Sequence, residues 1–278
     1  MGKRRVFAMA TPSQGVVSFP WMLGVQGLMW PMNCTKTIIP FYDRVGGQIA
    51  EGRNAIVAMA RQLNTPHQEV THIFWLDDDV VPMPSVLLRL LSHQADVAAG
   101  VYFSKTDVGE PLIFPGRGEG TMAWKAAGDT DPPIPTYGFP LGLSVMKFDV
   151  FDRIDAAFPD LPKDRYGNPE YFRTPTEADA TFEDGILSYG GTEDFILFDR
   201  LQAIGARVLV DCSKWAFGWH MDKATLEAFP TNQWGQYKTG QNVTWPDGTV
   251  WTQGPQKQEQ REPAACAGHG AISPGSAA

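Results

Sequence analysis

Four consecutive apolar residues, Ile73 to Leu76, run straight into three carboxylates, Asp77, Asp78 and Asp79. The pattern predicts a buried strand whose end carries concentrated negative charge. Upstream, Arg5 to Ala10 reads as a short apolar strand stopping at Thr11-Pro12-Ser13. Ile49, Ala50, Ala55, Ile56, Met59, Ala60 and Leu63 recur at helical spacing, predicting a helix from about Gly47 to Leu63 and a β-α-β start. Pro84 is placed to begin a helix with Val86, Leu87, Leu90 and Leu91 on one face. Asp96 to Phe103 and Leu143 to Phe148 read as strands, and Asp149 to Ile154 opens a short helix. Thr192 suits the N-cap of a helix running to Ile204, with Gly205 as its stop and Arg207 to Asp211 as a final core strand. Three stretches resist such reading. Val16 to Pro40 is rich in Gly, Met and Trp without a clear period, and residues 105–137 are expected to be loops or short strands. Phe158 to Glu183 is polar and irregular, a candidate mobile loop.

Alternating strands and helices predict an α/β fold with a mostly parallel sheet. Ligands of such sheets sit beyond the carboxyl ends of the strands, where Asp77 to Asp79 fall. The chain of 278 residues is read as one catalytic-sized domain over 1–250, with its core at about 5–222. From about Trp251 onward Gln, Glu, Pro, Gly, Ala and Ser dominate, so 251–278 is expected to be a disordered tail. A net charge of -8, with no basic run beyond Lys3-Arg4-Arg5, argues against a broad nucleic-acid-binding face. The three cysteines are too few and too scattered for a zinc site or a disulfide framework. With no signal peptide and no stretch long enough to span a membrane, the expected location is cytoplasmic.

The chemistry begins with the acidic triplet. Adjacent carboxylates at a buried strand end repel one another and lose hydration, and a hard divalent cation relieves both penalties. A solvated acidic loop is the plainer alternative. Three further segments bear on the choice. Gly138 to Ser144 is a Gly-containing loop entering a strand, where glycines such as Gly142 permit close backbone approach to a ligand or simply make a turn. In Gly190-Gly191-Thr192-Glu193-Asp194, the two acids either complement a helix dipole or supply a general base. In Trp215 to His220, the histidine is either a satisfied, partly buried side chain or a neutral imidazole completing a metal shell.

Taken in order, these segments resemble the GT-A glycosyltransferase fold, a Rossmann-like α/β fold with a mostly parallel central sheet. Its members carry a DxD motif, a glycine loop, an acidic xED motif and a C-terminal histidine. Residues 144–154 and 193–206 look particularly like family-2-type members. The resemblance implies that Asp77 and Asp79 are the DxD carboxylates, with Asp78 between them, and that His220 is a further metal ligand. It implies Mn²⁺, or failing that Mg²⁺, bridging the diphosphate of a nucleoside-diphosphate sugar; the mixed carboxylate and imidazole set favours Mn²⁺. Asp194 would be the base of an inverting transfer, with Glu193 as fallback. Thr11 and Pro12 resemble the loop that holds the nucleotide base, and Arg53 an arginine that pairs with base or phosphates; a surface helix charge is the alternative for Arg53. The acceptor is left open among a glycan, a lipid carrier, a protein and a modified nucleic acid.

Competing readings are weaker. A haloacid-dehalogenase-type phosphatase would use Asp77 as nucleophile in Asp77-x-Asp79-x-Val81, with Asp194 and Asp199 as its downstream acids. Its nucleophile, however, belongs on the first strand of the domain. A nucleotidyltransferase lacks its basic phosphate loop here, and a non-catalytic carbohydrate-binding protein leaves the acids without a role.

Overall fold

The predicted N-terminal strand forms and extends further than expected: β1 covers Arg4–Ser13, with Val6 to Ala10 in the core. The computed structural model describes residues 2–13, 15–42, 49–105, 111–117, 121, 132–176, 181–183, 186–188, 192–223, 225, 228–229, 243–244 and 250–251.

The aperiodic segment after β1 holds two elements. Ser18 caps α1 (Phe19–Gly27), its hydroxyl accepting the Trp21 N–H at 3.2 Å. Trp21 and Val25 face the core, but the exposed Phe19, Met22 and Leu23 are apolar too, so this helix has no polar face to give it a readable period. Strand β2 (Cys34–Tyr42) then pairs with β1 at the edge of the sheet.

Helix α2 (Ile49–Gln62) shows the predicted period; the expected start at Gly47 lies outside the described residues. After it come β3 (Gln68–Leu76) and, beyond the Asp triplet, β4 (Val80–Pro82). Pro84 does not open the next helix. The Val86 N–H closes a tight turn onto the Met83 carbonyl at 3.1 Å, and α3 spans Val86–Ser92. Next come β5 (Val97–Gly100), β6 (Ile134–Pro135), β7 (Leu143–Lys147) and α4 (Asp149–Ala157). The hairpin of β8 (Thr181–Glu183) and β9 (Ile186–Ser188) precedes α5 (Glu193–Ala203), which Thr192 leads into as expected and after which Gly205 takes a positive φ of 64°. The chain continues through β10 (Val208–Asp211), a 3-10 turn (Lys214–Ala216), β11 (Gly218–Met221), β12 (Ala228–Phe229), β13 (Val243–Thr244) and β14 (Val250–Trp251).

The central sheet has seven strands in the order β2-β1-β3-β7-β5-β10-β6. Five of them, β2, β1, β3, β5 and β10, share one direction; β7 and β6 oppose it. The fold is therefore α/β with a mostly parallel sheet. β7 is inserted antiparallel in the middle, between β3 and β5, and β10, the last strand of this sheet in chain order, has β6 paired beyond it. Helices α1 and α3 pack on one face of the sheet, and α2, α4 and α5 on the other. Strand β11 joins β4 and β12 in a second small sheet, with His220 opposite Val80.

The expected mobile loop is pinned over residues 158–176, and its last described residues form β8. Tyr171 and Phe172 are buried, and the Asn54 side chain bonds both the N–H and the carbonyl of Phe172, at 2.9 and 2.8 Å. Asp164 closes the turn before them by accepting the N–H groups of Tyr166 and Asn168. Gly190, Gly191 and the tail over 252–278 lie outside the described residues. Among the described residues no helix is long and apolar enough to cross a membrane.

Candidate active site

Asp77 is held rigidly where β3 ends. Its N–H donates to the Gly142 carbonyl at 3.0 Å, while its own carbonyl accepts from Val80 N–H at 3.1 Å and the Trp21 indole at 2.8 Å. The Gly142 backbone passes so close that a Cβ there would lie 2.5 Å from Asp77 Oδ2 and 2.7 Å from the Tyr102 hydroxyl. This close approach, and not a positive φ, is what demands glycine in the predicted loop.

Beneath Asp77 lies Arg53, projected from α2 and only 2% exposed, so the surface-charge alternative does not hold. Its guanidinium reaches three carboxylates: Asp77 at 3.4 Å, Asp194 at 3.5 Å and Glu193 at 3.6 Å. Trp75 and Phe172 supply ring faces 5.6 and 5.9 Å from its Cζ. Burial opposes the arginine's charge, but Asp194, Asp77 and Glu193 outweigh it and keep the proton on. The two acidic segments, 116 residues apart between Asp77 and Glu193, thus share one cation.

One arginine among three acids leaves a surplus of negative charge, and the acids respond. Burial, reinforced by Asp79, Glu193 and Asp78 against the pull of Arg53, pushes Asp77 up to about 6. Burial, with Glu193 and Asp77 adding to it, raises Asp194 to about 7, although the Leu141 N–H donates to its Oδ2 at 3.2 Å. Asp194 is 3% exposed, and its Oδ1 is a buried oxygen without a hydrogen bond. Tyr102, buried beside these acids, keeps its phenolic proton well above the ordinary range.

The other two members of the triplet meet a different environment. Asp79 Oδ2 accepts from Lys105 Nζ at 2.6 Å and stands 3.5 Å from His220 Nε2. Burial disfavours its charge, but His220 and Lys105 outweigh burial and hold the carboxyl well below the usual range. His220 Nδ1 lies 2.7 Å from the Phe103 carbonyl, which can only accept, so a ring proton is assigned to Nδ1 and the ring is turned with Nε2 toward Asp79. Ligating histidines are oriented in this way by a carbonyl behind the ring. Asp78, buried, pairs with Lys223 Nζ at 2.5 Å. Among the described residues no three His, Cys, Asp or Glu side chains stand together as a metal cage.

A cavity of about 340 Å³ opens on the α1 side, lined by Met9, Thr11, Trp21, Val25, Gln26 and Ile38 among others. Thr11 is buried there and its hydroxyl has no partner; Pro12 is not part of the lining. Trp21 connects this cavity to Asp77 through its indole N–H.

The predicted residues therefore fall into two adjoining groups, Asp77 with Arg53, Glu193 and Asp194, and Asp79 with His220, while Thr11 stands at the cavity. Sequence reasoning missed Lys105, Lys223 and Tyr102; lone lysines after strands carry no pattern, and Tyr102 reads as an ordinary strand aromatic. Asp199 ion-pairs with Arg117 and accepts from Tyr137 within α5, so the downstream acids of the phosphatase alternative lie on a helix and not at a strand end.

No protein-family model matches the chain, and no curated protein matches it. Among solved structures, the A197 protein from STIV is 16% identical, covering 91% of this chain and 95% of that one at a TM-score of 0.44. TarS residues 1–349 from S. aureus, in complex with UDP-GlcNAc, is 11% identical over 82% of this chain with a TM-score of 0.43. The chain spans 63% of that TarS structure and 36% of a longer one, which it matches at a TM-score of 0.42.

Proposed function

We propose that the protein is a metal-dependent glycosyltransferase of the GT-A type, moving a sugar from a nucleoside-diphosphate sugar to an acceptor hydroxyl with inversion. The observation that carries the reading is the meeting of Asp77, Glu193 and Asp194 on buried Arg53, at the carboxyl end of a parallel strand and beside Asp79 and His220. A base and a cation site within one cluster is what this arrangement supports.

Asp194 is the base. A carboxylate raised to about 7 is half ionised at neutral pH and strong enough to take a proton from an acceptor hydroxyl as it attacks. The acceptor oxygen bonds to the anomeric carbon, the bond from that carbon to the diphosphate oxygen breaks, and the nucleoside diphosphate leaves. Glu193, with 14% of its side chain exposed, is the alternative proton acceptor. Arg53 keeps both acids aimed at one point. The nucleoside's base occupies the cavity that Thr11 lines. Asp79 and His220, with Asp77, would hold Mn²⁺ or Mg²⁺; once bound, the ion supplies neutralising charge for the departing diphosphate.

The test is a thermal-shift panel of UDP, GDP, CDP, ADP and TDP, each with Mn²⁺ and with EDTA. A ligand at about a hundred times its dissociation constant stabilises by roughly 2.7 kcal/mol. Stabilisation by one diphosphate, lost with EDTA and lost in Asp79→Ala, is the expected result. Absence of any shift overturns the reading and turns attention to trapping a phospho-enzyme on Asp77.

A further inference from the structure

Resting on the glycosyltransferase reading, we propose that Lys105 is an exchangeable counter-ion of this site, neutralising Asp79 while the site is empty and moving onto the donor's diphosphate when the divalent ion takes Asp79. Lys105 Nζ already occupies Oδ2, the oxygen that His220 Nε2 also faces. A metal ion held by Asp79 would stand against the ammonium, so the two cations would compete for one oxygen.

Charge decides where the lysine goes. Asp78 and Asp79 are balanced by Lys105 and Lys223. A divalent ion alone adds two positive charges to this balanced group and meets a displaced ammonium. The diphosphate of a nucleotide sugar adds two negative charges, so ion and donor together restore neutrality with Lys105 kept nearby. The side chain suits the exchange: it is 25% exposed, on a flexible stem, and carries a point charge that binds phosphate oxygens from many directions. It also stands two residues beyond Phe103, whose carbonyl orients His220, so one short segment serves both side chains that face Asp79 Oδ2.

Mn²⁺ binding to the full chain, measured by electron paramagnetic resonance for wild type, Lys105→Gln and Lys105→Arg, separates this role from a structural one. The measurement is made with Mn²⁺ alone and with each of UDP, GDP, CDP, ADP and TDP, nucleotide affinity being read by calorimetry. In Lys105→Gln, Mn²⁺ alone should bind several-fold tighter, while the bound nucleotide should weaken by about tenfold through loss of a charged hydrogen bond. Lys105→Arg should keep wild-type behaviour in both. Weaker or unchanged Mn²⁺ binding in Lys105→Gln, or unchanged nucleotide affinity, overturns the exchange while leaving the glycosyltransferase reading standing. A wild type that binds neither Mn²⁺ nor any nucleotide overturns both.

Discussion

The two halves of the acidic cluster differ in how their charge is balanced. Around Arg53 a single cation serves Asp77, Glu193 and Asp194, and two of these acids are pushed up to about 6 and about 7. Around Asp78 and Asp79 each carboxylate has its own lysine, and Asp79 is held low. The same residue type, two positions apart in the chain, is thus given opposite tendencies by its neighbours. A site that must move a proton gains from the first environment, and one that must keep a permanent anion gains from the second.

Removing the shared cation should have the greatest effect. Arg53→Met strands three carboxylates in a buried place and is expected to cost about 3–5 kcal/mol of stability at pH 7 in urea unfolding. Part of that loss should return at pH 5, where the acids protonate. A variant as stable as wild type at pH 7 would mean that Arg53 does not hold the acids together.

Asp194→Asn should keep donor binding but lower turnover by about 10²- to 10⁴-fold. In the wild type, kcat/KM should rise with pH through about 7, following ionisation of the base. Unchanged turnover in the variant removes the assigned role. Stability adds a second readout with a fixed sign. The folded values of Asp77 and Asp194 lie above the ordinary carboxylate value of about 3.9, so folding takes up protons and stability declines as pH rises from about 4 to 7. Asp194→Asn should flatten that decline in a series of melting curves.

Gly142→Ala tests the close approach on which Asp77 depends. Its Cβ would meet Asp77 Oδ2 and the Tyr102 hydroxyl, so overpacking of about 1–3 kcal/mol and loss of metal-dependent nucleotide binding are expected. Retained binding at full strength would show that Asp77 need not stand where it does.

The smallest effect comes from a balanced cluster away from the site. Buried Asp211 accepts from Arg89 at 2.5 Å, pairs with His93 at 2.6 Å and takes the Ser213 N–H at 2.8 Å. Burial opposes its charge, but these partners, Ser213 foremost, overcome burial and lower its value. Its contribution is present above about pH 4 and lost as pH falls through the folded value, the reverse of the Asp194 trend. Asp211→Asn should therefore cost about 1 kcal/mol at pH 7 and little at pH 2. An equal loss at both pH values would show that its charge is irrelevant.

How much of this was legible beforehand depended on the kind of signal. The β3 run with its terminal acids, the α2 period and the Thr192-to-Gly205 helix were read from local pattern and are present. Helix α1 was hidden because its exposed side is as apolar as its buried one, so no contrast marks it. The antiparallel insertion of β7 is a matter of long-range pairing, which an apolar run does not encode. At the site, carboxylates at a strand end and a helix start announced themselves by position. Lys105 and Lys223 did not, since pairing with Asp79 and Asp78 arises only when segments 26 and 145 residues apart meet. Arg53 was singled out as a ligand contact for base or phosphates; in the fold it is a buried tie between two acidic segments.

The place of β7 also sets an order of assembly. As the chain leaves the ribosome, β2, β1 and β3 can pair with one another once residue 76 is out, but β5 finds no neighbour in the central sheet until β7 or β10 has been made. A nascent chain halted before residue 143 would carry Arg53 and Asp77, one charge of each sign, with Glu193 and Asp194 still unmade. The site is thus among the last features to close, and a protein made this way should gain its stability late and from distant contacts, as slow-folding topologies do.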